Sequence, residues 1–222
     1  HVFDNRSVGM PELIDALDRN WEGQEILRLT LVNKTPHYGN DDDTADELAM
    51  RVQDIFCSAV ERHCDTQGAK YWVDLLPTTS HIALGEATGA TPDGRRARAW
   101  LSEGVSPVQG HDRKGPTAST RSVAKLDHAR TNGTLLNVKI SPQTVKSDRD
   151  LQKLAALIRT YFAQGGFHMQ FNIVDRKILL DAMDRPEEHR NLLIRVAGYS
   201  DYFVLLNKDI QQEILSRAEH GV

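Results

Sequence analysis

Arg195-Val196-Ala197-Gly198-Tyr199-Ser200 is a short stretch that runs into a lone glycine, 24 residues before the end of a 222-residue chain. Residues 192–196 read as an apolar strand that stops at Gly198. Residues 207–219 carry Ile210, Ile214 and Leu215 at the spacing of one helix face. A strand, a glycine and a helix have a plain conformational explanation. Glycine takes a positive φ without steric cost, and a turn at this point needs one.

Outward from that segment, helical and strand patterns alternate. Residues 11–21 carry Leu13, Ile14 and Leu17 at helical spacing behind an early proline. The strongest helical pattern is residues 44–63, where Leu48, Ala49, Val52, Ile55, Phe56, Ala59 and Val60 form a broad stripe expected to face the core. The run Asp41-Asp42-Asp43 suits its N-terminus, where negative charge is favoured. A second strong helix is expected over 148–164, with Leu151, Leu154, Ala155, Ile158 and Phe162, and a short one over 178–183. Strands are expected at 70–76, 81–84, 133–140 and 167–174, the first two flanked by Pro77 and Gly85. Between Gly85 and Gly115, Gly89, Gly94, Gly104, Gly110, Pro92 and Pro107 leave a long irregular stretch, a kind of loop that tends to be functional. No repeat and no composition break marks a linker, which points to a single α/β unit.

Composition excludes several classes. A net charge of −4 offers no electrostatic footprint for nucleic acid or an anionic membrane. No apolar run approaches the roughly 20 residues of a membrane span. Cys57 and Cys64 are too few for a disulfide framework and lack Cys-x-x-Cys spacing for a metal. Seven apart in a helical pattern, they are expected to share one face as buried, inert thiols of a reducing cytoplasm. The acidic run lacks the glycine and terminal glutamate of a calcium loop. The missing initiator Met hints at a fragment.

The letters around Gly198, with Phe203 and Ile214-Leu215-Ser216-Arg217 after them, resemble the glycyl radical signature of the pyruvate formate-lyase superfamily. A second resemblance covers the glycine-rich stretch. Gly89-Ala90-Thr91-Pro92-Asp93-Gly94-Arg95-Arg96, Ser102-Glu103-Gly104-Val105-Ser106-Pro107, Gly115-Pro116-Thr117-Ala118 and Ser122-Val123-Ala124-Lys125-Leu126 keep the family's order. Such a stretch also reads as a phosphate cradle, but no Gly-Lys-Ser/Thr follows. The resemblance runs from about Tyr38 to the C-terminus. Ala197 and Ser200 beside the glycine, and Ser102-Glu103-Gly104, are similar to the eliminase branch of dehydratases and C–N or C–S lyases. Pyruvate formate-lyase itself is expected to read Ser-Gly-Tyr-Ala.

The resemblance implies that Gly198 stores a backbone radical, in a loop of Arg195, Val196, Ala197, Tyr199 and Ser200. An unpaired electron on Cα is stabilised by donation from the amide nitrogen and withdrawal by the carbonyl. That delocalisation needs a planar Cα, which a side chain would crowd. The radical needs shielding, so the loop is expected to be buried, packed by residues 192–194 and by Tyr199, Tyr202 and Phe203. The implied fold is α/β, the C-terminal half of a ten-stranded α/β barrel with surrounding helices. Residues 1–95 would end the barrel region, and 96–222 would form the glycyl radical domain. No cofactor is bound permanently; an activating enzyme using S-adenosylmethionine and an iron–sulfur cluster installs the radical. The partners implied are that enzyme, a small-molecule substrate, an upstream remainder carrying the thiyl cysteine, and a second copy in a homodimer, with neither nucleic acid nor membrane. Residues 75–81 resemble a strand lining the family's substrate cavity, which makes Thr78 a substrate-contact candidate beside its reading as an ordinary strand residue; His81 likewise reads as a ligand, a base or a satisfied strand histidine. Trp100 replaces the family's usual proline and Ala218 its usual threonine before Glu219. Neither cysteine lies in a Cys-x-Glu loop, so this stretch is not expected to hold the complete active site. Formate acetyltransferase activity and a standalone radical-bearing repair subunit are the alternatives.

Overall fold

A computed structural model describes residues 2–3, 6–76, 78–217 and 219–220, the last two by backbone alone. Pro77 and Ala218 lie outside the described residues. In chain order the elements are α1 (Met10–Asp18), α2 (Glu25–Lys34), α3 (Asp43–Val60), β1 (Val73–Leu75) and α4 (Ser80–Glu86). After an irregular stretch come α5 (Pro116–Ala124), β2 (Thr131–Thr134), β3 (Asn137–Ile140), α6 (Asp148–Ala163) and β4 (Gln170–Asn172). The C-terminal part adds α7 (Arg176–Asp184), β5 (Leu193–Arg195), β6 (Ser200–Tyr202), α8 (Lys208–Ser216) and β7 (Glu219–His220). Side chains cap most of the later helices. Ser147 and Asp150 form a reciprocal capping box on α6, and Asp175 and Asn207 accept from the first turns of α7 and α8.

The chain divides into two compact units, which corrects the single-unit reading. Segments 1–36 and 80–101 form one, and 37–79 with 102–222 the other. No linker marks the division in the sequence, because each unit is assembled from two separated stretches of the chain. The first unit packs Leu13, Ala16, Trp21 and Leu31 together, and the Trp21 indole donates to the Arg95 carbonyl at 3.1 Å. Among the described residues the second unit holds three small sheets. β1 pairs parallel with β2, β3 pairs parallel with both β4 and β7, and β5 pairs antiparallel with β6.

The strand expected over 133–140 is two strands. Leu135 N donates to Leu75 O at 3.2 Å, whereas Leu136 O accepts from Gln170 N at 3.0 Å, so the chain passes there from one sheet to the next. Leu135 joins a core with Leu179, Ile194, Val196 and Phe203; Leu136 joins another with Val138, Ile140 and Tyr161. Residues 81–84 belong to a helix rather than a strand, and His81 is buried within it. β1 stops at Leu75, and Thr78 and Thr79 occupy a turn at φ +42° and +70°. Positive φ at two successive residues is incompatible with an extended strand.

The helix of 44–63 is present as α3, but its apolar stripe faces out: Leu48 is 60% exposed, Val52 67% and Phe56 53%. The buried face is polar, with Asp46, Gln53 and Cys57 inward. Specific bonds turn it that way. Lys125 Nζ reaches Asp46 at 2.7 Å, Asp43 at 2.8 Å and Asp41 at 2.9 Å. Ser122 Oγ donates to Asp46 and accepts from Asp41 N, both at 2.9 Å. Gln53 exchanges two bonds with the Asp127 backbone, both at 2.9 Å. Burying one charge requires a partner, and Lys125 supplies it. Cys57 is buried and burial pushes its thiol pKa up; Cys64 is exposed beyond the helix end, so the two do not share a face.

His128 is buried between Thr134 Oγ1 at 3.0 Å and the Val123 carbonyl at 2.9 Å. The carbonyl can only accept, so Nε2 carries the proton and Nδ1 accepts from Thr134. Burial holds its pKa below 6.5 despite the carbonyl, and burial likewise lowers that of His168. The unfolded chain therefore binds more protons than the folded one as pH drops below about 6.5. Stability should be fully present above that value and decline on acidification, and the His128→Gln variant should show a shallower decline in urea titrations at stepped pH.

Candidate active site

β5 and β6 form a hairpin with Leu193 opposite Tyr202, Ile194 opposite Asp201 and Arg195 opposite Ser200. Val196 N donates to Tyr199 O at 2.8 Å, which closes a two-residue loop of Ala197 and Gly198. Only Gly198 of the two has a positive φ, +77°, the pattern of a type II turn with glycine at its third position. A Cβ at Gly198 would meet Leu135 Cδ1 at 3.6 Å, an ordinary contact. Local space therefore does not demand glycine; the backbone angle does, and so would the planar Cα of a radical.

Alternation along the ribbon sends Ile194 inward, with Val196 and Ala197 also buried, while Leu193 and Tyr202 pair on the outer face. Phe203 is fully buried, as expected. Tyr199 and Tyr202 are 40% and 44% exposed, contrary to their expected packing role. The loop is only half as buried as anticipated. Val196 and Ala197 are enclosed, but Gly198, Tyr199 and Ser200 are exposed. Gly198 rests on Leu135 and on the Gln170 side-chain amide, and no described residue covers its outer side.

Beneath the turn lies a buried polar network that fixes its backbone. Gln170 Oε1 accepts from Gly198 N at 3.2 Å and from Arg195 Nε at 3.0 Å. Asn172 exchanges two bonds with the Arg195 backbone, at 2.7 Å and 2.9 Å. The Val196 carbonyl accepts from Arg217 Nη2 at 3.0 Å and from Asn137 Nδ2 at 3.3 Å. Arg217 pairs with Glu213 at 2.9 Å and lies 3.6 Å from Glu103. Burial alone would lower the Arg217 pKa; the two carboxylates overcome this and raise it. Ser106 Oγ donates to Glu103 at 3.3 Å and accepts from Asn137 N at 3.0 Å. Gly104 permits this arrangement: at φ +53° a Cβ there would stand 2.4 Å from the Leu135 carbonyl.

All five loop residues and Gly198 thus share one hairpin, with Arg195 half-buried and 3.4 Å from Ser200 Oγ. Thr78 is exposed in the turn between β1 and α4, in a different part of the second unit's chain path. Gln170, Asn137, Asn172 and Glu213 carry no motif that marks them in the sequence. The available signal was Gln170-Phe171-Asn172, two amides on one face of a strand, in register with Asn137 and Lys139 of β3. Among the described residues no group of three His, Cys, Asp or Glu side chains could hold a metal ion, and no helix is long and apolar enough to cross a membrane.

The family model described as glycine radical matches residues 101–204, and that described as pyruvate formate lyase-like matches residues 1–85. The chain belongs to the glycyl radical enzymes of the pyruvate formate lyase-like family. It is 45% identical over 219 residues to trans-4-hydroxy-L-proline dehydratase of Clostridioides difficile, covering 99% of this chain and 28% of that protein. It is 37% identical over 227 residues to the isethionate sulfite-lyase of Nitratidesulfovibrio vulgaris, covering 100% of this chain and 27% of the relative. The glycerol-bound B12-independent glycerol dehydratase from Clostridium butyricum superposes with a TM-score of 0.97 at 43% identity, over 100% of this chain and 28% of that one. The chain therefore spans about 28% of the length of the relatives it matches.

Proposed function

We propose that this chain supplies the radical-storing part of a dehydratase or C–N or C–S lyase acting on a small polar substrate, with Gly198 as the radical site. The observation that carries this is the hairpin: a glycine at positive φ whose own amide is held by buried Gln170, with the Val196 carbonyl two residues before it held by buried Arg217. A radical that must persist between turnovers needs a backbone that does not wander, and the network provides it. An activating enzyme using S-adenosylmethionine and an iron–sulfur cluster would remove one hydrogen atom from Gly198 Cα. The radical would then take a hydrogen atom from a cysteine thiol in the part of the relatives that this chain does not match, restoring Gly198 and leaving a thiyl. The thiyl would take a hydrogen atom from a substrate carbon; the bond to the neighbouring group then breaks with its electron pair on the leaving group, which departs as water, amine or sulfite while the substrate radical gives up a proton. The product radical recovers the hydrogen atom from the thiol.

In this reading residues 1–95 would end a ten-stranded barrel and 96–222 would form the glycyl radical domain, in a homodimer. Thr78, with its hydroxyl in an exposed turn, is the substrate-contact candidate. Two unpaired cysteines favour a reducing cytoplasm. The activities of its relatives, a dehydratase and a sulfite-lyase, favour elimination over formate acetyltransfer. The test is product analysis by NMR with the anaerobically activated full-length protein and trans-4-hydroxy-L-proline, glycerol, propane-1,2-diol and isethionate. Activation-dependent elimination from at least one is expected. Formate production from pyruvate and coenzyme A, with no elimination from any of them, would refute the reading.

A further inference from the structure

We propose that Gln170 is a positioning residue for the radical, which orients the Gly198 amide and strengthens its electron donation to Cα. This rests on Gly198 as the radical site. Gln170 is buried on β4, and its single side-chain oxygen faces two donors, Gly198 N–H at 3.2 Å and Arg195 Nε at 3.0 Å. Its nitrogen cannot replace that oxygen, because both neighbours are donors. The orientation is fixed from the far side as well. Gln170 Nε2 donates to Asn137 Oδ1, and Asn137 Nδ2 donates to Glu103 Oε1. Glu103 accepts from the Ser106 hydroxyl and faces Arg217, and Arg217 donates to the Val196 carbonyl. The relay therefore runs one way, from the Gly198 amide through two side-chain amides to a buried carboxylate. It closes on the same hairpin through Arg217.

Successive hydrogen bonds polarise one another, and a carboxylate at the accepting end makes each amide oxygen upstream a better acceptor. A better acceptor on Gly198 N–H raises electron density on that nitrogen, the atom whose lone pair stabilises an electron at Cα. The same bond holds the amide plane in which Cα must flatten. A side chain needed only for packing would have no reason to place a single oxygen between the Gly198 N–H and the Arg195 guanidinium. The hairpin is already closed by the Val196–Tyr199 bond and anchored by Asn172 and Arg217.

The experiment compares wild type, Gln170→Ala and Gln170→Glu in the activated full-length protein. Radical yield and lifetime are measured by electron paramagnetic resonance. The exchangeable amide-proton coupling is read by electron–nuclear double resonance in H2O and D2O, and folding by thermal melting. Gln170→Ala should lower radical yield or lifetime roughly three- to tenfold, the factor one net hydrogen bond supports, and should shift the amide-proton coupling. Gln170→Glu keeps an oxygen toward Gly198 and Arg195 but sets its second oxygen against Asn137 Oδ1, so it should restore the amide-proton coupling and only part of the yield. If Gln170→Ala folds and keeps wild-type yield, lifetime and coupling, the proposal is overturned while the radical assignment stands. If Gln170→Ala does not fold, Gln170→Glu decides: a wild-type-like coupling supports the proposal and a lost one overturns it. A wild type without any Gly198 doublet overturns the radical reading and this proposal together.

Discussion

Gly198→Ala, introduced into the full-length protein, is expected to abolish both the radical and turnover while leaving the fold largely intact. The two effects separate because they have different causes. An alanine at φ +77° pays the left-handed penalty of about 1–2 kcal/mol, and its methyl group meets only Leu135 Cδ1 at 3.6 Å. A domain with ordinary stability of about 5–15 kcal/mol survives that. The chemistry does not, because the methyl crowds the planar Cα on which the unpaired electron is shared between amide and carbonyl. Thermal melting should show a shift of a few degrees, and activation should give no product above background. A folded variant that still turns over substrate would mean that the radical sits elsewhere.

Arg217→Met should be the most damaging single change to the fold around the site. Arg217 is buried between Glu213 at 2.9 Å and Glu103 at 3.6 Å, and it also donates to the Val196 carbonyl. Methionine matches much of its stem but leaves two buried carboxylates facing each other with no cation. Breaking a buried ion pair from one side costs about 3–5 kcal/mol. The loss should appear as a lower urea midpoint. Replacing Glu213, Glu103 and Arg217 together by apolar residues of similar size should cost less than Arg217→Met alone, because no uncompensated charge remains. A urea midpoint unchanged by Arg217→Met would show that the pair contributes nothing to the hairpin's anchorage.

How far the sequence discloses this molecule depends on the residue in question. Gly198 stands out because its neighbours in sequence are also its neighbours in space: a two-residue turn between paired strands is a local structure, and local patterns survive in the letters. The capping residues Ser147, Asp175 and Asn207 are legible for the same reason. Helix α3 shows the limit. Its period identifies a helix, yet the stripe of Leu48, Val52 and Phe56 faces out, and the inward face is chosen by Lys125, Ser122 and Asp127, more than sixty residues away. Periodicity gives a face without saying what covers it. Gln170 is hidden in the same way. A strand glutamine looks alike whether water or a backbone amide 28 residues away satisfies it. The turn at Thr78 and Thr79 was obscured by the β-propensity of threonine, a preference that tertiary context readily overrides.

The most direct test of the account is electron paramagnetic resonance of the activated full-length protein, prepared with ordinary glycine, with Cα-deuterated glycine and as Gly198→Ala. One hydrogen remains on Cα after abstraction, so its spin splits the line in two. The account predicts a doublet with ordinary glycine, collapse to a single line on deuteration, and no organic radical in Gly198→Ala. A doublet that persists in Gly198→Ala, or one insensitive to deuterated glycine, would contradict the assignment of the radical to Gly198.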